Sequence, residues 1–186
     1  MKATIIILVI VVLLALWIIS IYNNMVRLRN NRENAFANID VQLKQRADMI
    51  PQLVETVKGY AKHESGVLQA VTEARSAAMS AQSIDDKIKA DNMLTQALSG
   101  LKVQLEAYPD LKANQNFLQL QSEIADVENK LSSVRRYFNV ATRELNNAVQ
   151  TFPGNLLAGM FGFHTETMYD LGAQRQQLEK APEVKF

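Results

Sequence analysis

Between Ala3 and Ile21 the chain reads A-T-I-I-I-L-V-I-V-V-L-L-A-L-W-I-I-S-I, with Thr4 and Ser20 its only polar side chains and no charge. Roughly 20 apolar residues are enough for a helix to cross the hydrocarbon core of a bilayer. The run leaves no polar face for water, so it does not read as the amphipathic helix of a soluble protein. A membrane span is expected over residues 4–21, with Ile5, Leu8, Val12, Leu16, Trp17 and Ile21 facing lipid and residues 1–3 as a short tail. The lipid bilayer is the first partner this sequence names.

A cleaved signal peptide is the competing reading. Its charged region would be Lys2 alone, the apolar run is longer than such peptides carry, and no small-residue cleavage site follows at Tyr22-Asn23-Asn24-Met25. An uncleaved single-pass anchor fits better. For orientation, Lys2 and the amino terminus on one side oppose Arg27, Arg29 and Arg32 on the other, which tilts the large domain toward the cytoplasm by about one charge.

Beyond the span, about 160 residues remain, enough for one domain with a core of its own. Lysine plus arginine number 20 against 19 acidic residues, for a net charge of +1, so no global field recruits nucleic acid or anionic substrates. The absence of cysteine excludes disulfides, thiolate chemistry and cysteine-based zinc sites. With 7 glycines and 4 prolines, the chain has little material for the turns of a β-rich fold.

Apolar residues then recur at Met25, Leu28, Ala35 or Phe36, Ile39, Leu43, Ile50, Leu53 or Val54, Val57 and Tyr60 or Ala61; steps of three and four dominate, the mark of an amphipathic helix. No glycine or proline interrupts Tyr22 to Ile50, so the membrane helix is expected to continue into water. Carried to Glu64, it would run about 65 Å. Pro51 lies inside the pattern, which resumes at once, and a kink near Ala47–Pro51 is expected rather than a stop. A break follows at His63-Glu64-Ser65-Gly66. Val67 to Ala81 reads as a second, alanine-rich helix. Ser83 is a candidate N-cap for a third helix, with Asp85 and Asp86 favoured in its first turn. That helix carries Ile84, Ile88, Leu94, Leu98, Leu101 and Leu105, tolerates Gly100, and ends at Tyr108-Pro109-Asp110. The strongest seam comes last: Phe117, Leu120, Ile124, Val127, Leu131, Val134 and Phe138, continued by Ala141, Leu145 and Ala148, alternate steps of three and four. Phe152-Pro153-Gly154-Asn155 stops it. The apolar run that follows, with Leu156, Leu157, Met160, Phe161 and Phe163, either covers the end of the bundle or meets a membrane or partner. Residues 164–186 read as a polar tail.

The motifs of chemistry are missing. His63-Glu64 begins like a zinc helix, but Val67 occupies the position of the second histidine. No serine stands in a nucleophile elbow, and Gly59, Gly66 and Gly100 are isolated rather than part of a phosphate loop. Arg135-Arg136 flank the apolar seam and read as a solvated or salt-bridged rim rather than a nucleic-acid site. Asp40, Arg46, Asp48, Glu55, Lys58 and Lys62 lie beside the stripe of the first long helix. They read as local i,i+4 pairs or, more sharply, as a network fixing helix register. No cofactor, metal or small-molecule substrate is implied.

The stretch Ile39-Asp40-Val41-Gln42-Leu43-Lys44-Gln45-Arg46-Ala47-Asp48-Met49-Ile50-Pro51-Gln52-Leu53-Val54-Glu55-Thr56-Val57-Lys58-Gly59-Tyr60-Ala61-Lys62-His63-Glu64 resembles the signature of the bacterial LemA family. Tyr22-Asn23, Tyr108-Pro109-Asp110-Leu111-Lys112-Ala113, the Asn116-Phe117 to Gln121 stretch, Glu128-Asn129, Arg135-Arg136-Tyr137-Phe138-Asn139 and Phe152-Pro153 add to the resemblance. It implies a single-pass protein of the bacterial inner membrane with a long-helix bundle over residues 22–163. Many members look as if they carry a lipoprotein cysteine just before the Tyr-Asn pair. Here Ile21 stands in that place, yet the lipid-anchored relatives imply an extracytoplasmic domain, against the charge rule. The resemblance supplies no catalytic residues. The expected fold is therefore all-α, an N-terminal transmembrane helix running into an elongated antiparallel bundle of three to four long helices. The expected function is a non-enzymatic membrane-anchored scaffold that self-assembles into a large homo-oligomer and organises the membrane or cell envelope. The alternative is an adaptor or accessory subunit for an envelope protease or signalling system.

Overall fold

The computed structural model describes residues 1–61 and 64–170. These are all-α: no strand occurs among the described residues. The helices are α1 (Lys2–Lys58), α2 (Ser65–Ser80), α3 (Ile84–Leu105), α4 (Pro109–Lys112), α5 (Gln115–Gln150) and α6 (Gly154–Leu157), followed by a 3₁₀ turn at Gly159–Phe161. They divide into two compact units. One comprises Met1–Ala37 with Arg136–Met168, the other Asn38–Arg135 with the chain from Tyr169.

In the first unit, α1 begins at Lys2 and carries the apolar run as one helix. It is the helix in the described chain that is long and apolar enough to cross a membrane, and none of that run is buried against protein. Covering a large aliphatic side chain is worth about 1.5–3 kcal/mol, so a row of them bare to water is not a stable arrangement. Past Tyr22 the helix turns amphipathic. Met25, Ala35 and Phe36 are buried, as are Phe138, Ala141 and Leu145 of α5. Phe36 meets Phe138 edge to face at 5.5 Å between ring centroids, the arrangement aromatic quadrupoles favour.

The second unit packs Ile50, Leu53, Val54 and Val57 of α1 with Leu68 and Val71 of α2, Leu94, Leu101 and Leu105 of α3, Leu111 of α4, and Phe117 and Leu120 of α5. Helix α1 runs through Pro51 without stopping. A proline at this position has no N–H for the carbonyl of Ala47, and the Nε of Arg75 on α2 donates to that oxygen instead, at 2.9 Å. Helix α1 does not reach Glu64. It ends at Lys58, where the Val57 carbonyl accepts from both Tyr60 and Ala61 in the turn around Gly59. His63 and Lys62 lie outside the described residues.

Local signals set the remaining boundaries. Ser83 Oγ accepts from the Asp86 amide at 3.1 Å and opens α3, with Asp85 and Asp86 in the first turn near the positive end of the helix dipole. Helix α3 continues through Gly100 to Leu105. Pro109 holds the first position of α4, where a missing N–H costs nothing. Asn114 Oδ1 accepts from the Phe117 amide at 3.0 Å and caps α5. Along α5, Phe117, Leu120, Val127, Leu131 and Phe138 are buried, while Ile124 and Val134 are half-buried.

Candidate functional site

Two side-chain constellations stand out, one in each unit, and each is built from residues far apart in sequence.

In the first unit the chain leaving α5 folds back beside the end of the apolar run. Gly154 is packed so closely that a Cβ there would lie 2.0 Å from the Ala148 carbonyl oxygen and 2.8 Å from Met25 Cε. Tyr22 makes edge contacts with Phe161 at 5.0 Å and Phe163 at 5.9 Å, and Arg29 lies over the Phe163 ring at 5.2 Å. A cavity of about 810 Å³ beside this corner is lined both by Leu16, Trp17 and Ile21 of the run and by Phe152 and Pro153. The stretch read from sequence as one apolar element divides here. Phe163 and Ala158 are buried with Met25, and Leu157 is half-buried. Leu156, Met160 and Phe161 are exposed, as is Phe152, at 62%, 79%, 40% and 73%.

Of the polar tail expected over residues 164–186, residues 171–186 lie outside the described residues, and residues 164–170 carry polar contacts to the helices. Arg32, buried, lies over the Phe138 ring at 5.0 Å, donates to Thr142 Oγ1 and to the Thr167 carbonyl, each at 3.3 Å, and pairs with Glu166 at 3.2 Å. Asn146 donates to the Glu166 carbonyl at 2.9 Å and accepts from the Glu166 amide at 2.7 Å. An amide side chain thus satisfies the N–H and the C=O of one residue in a segment without regular secondary structure. Polar residues hold this stretch in place, which is why its composition resembles that of a tail.

In the second unit, Asp91 of α3 is 2% exposed and gathers three partners. Arg46 of α1 donates to it at 2.7 Å, Arg135 of α5 pairs with it, and the Tyr169 hydroxyl donates to it. Arg46 also reaches Glu128 at 2.5 Å and Thr95 Oγ1 at 3.0 Å. Arg135 stacks over the Tyr169 ring at 4.8 Å. Two buried cations face one buried carboxylate, Asp91, and one half-buried carboxylate, Glu128. Burial pushes the Tyr169 phenol far above its ordinary pKa, Asp91 adds to the push, and Arg135 opposes it. Burial by itself would lower Arg135, but Asp91 and then Tyr169 and Glu128 hold it above its usual range. These shifts keep each partner in the form that bonds: neutral phenol and charged guanidinium. The arrangement locks α1, α3 and α5 together with the chain at Tyr169.

Of the readings open for these residues, Arg135 takes the salt-bridged one, though buried rather than on a rim, and Arg46 takes interhelical partners rather than a local i,i+4 pair. Local pairs do form at Lys44–Asp48 and Glu55–Lys58, both 2.9 Å and exposed, and Asp40 pairs with Lys87 of α3 at 2.6 Å. Asp91 and Tyr169 escaped the sequence reading altogether. A signal for Asp91 was available, since it occupies the i+3 place in the gap of the α3 stripe between Ile88 and Leu94. Arg46 fills the corresponding gap between Leu43 and Ile50. For Tyr169 no local signal exists. Among the described residues no group of three or more His, Cys, Asp or Glu side chains is placed to hold a metal.

A family model described as the LemA family matches residues 35–186. Protein LemA of Metamycoplasma hominis is 28% identical over 138 residues, 73% of this chain and 63% of that protein. Magnetosome protein MamQ of Magnetospirillum gryphiswaldense is 21% identical over 168 residues, 76% of this chain and 62% of that protein. The chain thus spans less than two thirds of the length of either relative.

Proposed function

The chain belongs to the LemA family, and from that membership we propose that it is a non-enzymatic scaffold that self-assembles in the membrane and organises the bilayer or envelope around it. At the coarser level it is a membrane-associated helical protein. One observation carries the finer reading. Within the first unit the apolar run continues without a break into the segment whose Met25, Arg32, Ala35 and Phe36 are buried against protein. No flexible joint separates the lipid-facing turns of α1 from its packed turns, so order among bundles is transmitted to lipid. Tyr137 and Val140, exposed and three residues apart on α5, supply an apolar lateral face for a second copy. We place the protein in the bacterial inner membrane with the bundle on the extracytoplasmic side. Mass photometry of particles extracted with their lipid tests the assembly. A large homo-oligomer is expected, weakened by Tyr137→Asp with Val140→Asp, and a uniform monomer overturns the reading.

A second reading, an adaptor for an envelope protein, draws on an open groove of about 560 Å³ in the second unit, lined by Leu98, Leu101, Leu105, Phe117 and Ile124 beside Arg46 and Glu128. Crosslinking in cells separates the two, because an adaptor requires one stoichiometric heterologous partner.

A further inference from the structure

We propose that the corner formed by Phe152, Leu156 and Met160 is a second membrane contact, a foot that inserts into the bilayer interface beside the span. The inference rests on the membrane reading of residues 4–21 and goes beyond the assembly proposed above.

Three observations converge on it. The first is exposure: Phe152, Leu156 and Met160, spaced by four residues, are 73%, 62% and 79% exposed, while their neighbours Gly154, Ala158 and Phe163 are buried. Bare apolar side chains this large, within nine residues of chain just after α5, need a cover. The second is continuity with the membrane surface. Phe152 and Pro153 line one cavity with Leu16, Trp17 and Ile21, which places the corner level with the last turns of the span. Contacts of Phe161 and Phe163 with Tyr22 hold it there.

The third is the layering of chemistry along α1. Trp17 and Tyr22 are about 7.5 Å apart along the helix, and Arg27 and Arg29 follow within about 10 Å. Aromatic residues are enriched at the headgroup level on both faces of a bilayer, and the charged turns of α1 begin just beyond them. Phe152 shares its cavity with Trp17 and Ile21 on one side and with Asn23 and Arg27 on the other, so the corner lies where the apolar run gives way to the polar turns of α1. A lipid interface, rather than a protein groove, is therefore the occupant. A foot beside a span also fixes the tilt and rotation of the span, because two contacts define an orientation that one helix alone does not.

The native chain has no cysteine, so single labels are clean. The full-length protein is reconstituted in phosphatidylcholine–phosphatidylglycerol vesicles with an environment-sensitive fluorophore at Phe152→Cys, Leu156→Cys or Met160→Cys. Nitroxide quenchers are placed on shallow or deep acyl-chain positions. Glu33→Cys, exposed and about 16 Å further along α1 than Tyr22, is the aqueous control. Trp17, the sole tryptophan, reports on the span itself. The expected result is a blue shift at the three corner positions and loss of emission to the shallow quencher, from side chains about 5–10 Å into the headgroup–acyl boundary. The Glu33→Cys label should show neither. Corner labels that stay unquenched while Trp17 is quenched overturn the foot and leave the span intact. An unquenched Trp17 removes the span and the foot together. A blue shift without lipid quenching identifies a second protein copy as the cover and also overturns the proposal, as does equal quenching at Glu33→Cys.

Discussion

The hydroxyl of Tyr169 donates to the carboxylate of Asp91, 78 positions earlier in the chain, and both side chains are buried. This contact returns a polar segment to helix α3 and completes the shell around a carboxylate already held by Arg46 and Arg135. Tyr169→Phe keeps the ring under Arg135 but leaves Asp91 short of one donor. Hydrogen bonds to charged groups contribute about 1.5–3 kcal/mol, so equilibrium unfolding in denaturant should show a loss in that range.

The same pair sets a pH dependence. The folded state raises the phenol pKa, so the folded chain holds that proton more tightly than the unfolded one. The stabilisation is complete below the unfolded value of about 10 and is lost as the pH rises from there toward the folded value. The stability difference between the native chain and Tyr169→Phe should be flat across neutral pH and shrink in alkaline solution. A difference that grows above pH 10 would contradict the assignment.

Removing Asp91 itself should be more severe. Asp91→Ala strands two buried guanidinium groups with only Glu128 as counter-charge, and breaking a buried pair costs about 3–5 kcal/mol. Replacing Arg135 by methionine in the same chain removes one stranded charge. The double variant is expected to be more stable than Asp91→Ala alone, measured by urea unfolding of the two proteins side by side.

Pro51 and Arg75 offer a cleaner cycle. Arg75→Gln withdraws the charged donor from the Ala47 carbonyl, for a loss of about 1 kcal/mol at this half-buried site. In a Pro51→Ala background the helix supplies its own N–H to that oxygen, and the cost of Arg75→Gln should largely vanish. A coupling energy near zero would show that Arg75 does not substitute for the missing amide. If the proline bends α1, Pro51→Ala should also change assembly size by mass photometry.

Gly154→Ala tests the corner. The new Cβ would meet the Ala148 carbonyl oxygen at 2.0 Å, and backbone cannot swing aside as a side chain can. A loss of about 1–3 kcal/mol is expected, with faster proteolysis between residues 151 and 163. Met25→Ala should not rescue it, because the nearer obstacle is main chain.

Sequence determined what is local. The apolar run, the Ser83 cap, the Pro109 start of α4 and the seam of α5 each depend on residues within a few positions of one another, and steric or hydrogen-bonding rules act at that range. The seam was legible because a buried stripe must repeat with the helix period. Its interruptions were harder to interpret. A charged residue in a gap of the stripe, such as Arg46 or Asp91, reads as surface until a counter-charge is brought to it by another element.

Tertiary structure decided those cases. Arg46 and Arg135 reach Asp91 across 45 and 44 positions, and Tyr169 across 78. Desolvating any one of these groups alone would cost several kcal/mol, so each is buried only because the others are. The helix period puts Arg46 and Asp91 in phase with their stripes, but nothing in it says which residues of other elements they pair with. The same holds for Glu166, whose backbone pairs with the Asn146 side chain 20 positions earlier, and for the apolar corner, whose Phe163 is packed while Leu156 and Met160 are exposed. From sequence alone the span is a place to anchor the chain. With the fold in hand, Tyr22 at the end of that span is also where the chain returns, because Phe161 and Phe163 pack against it.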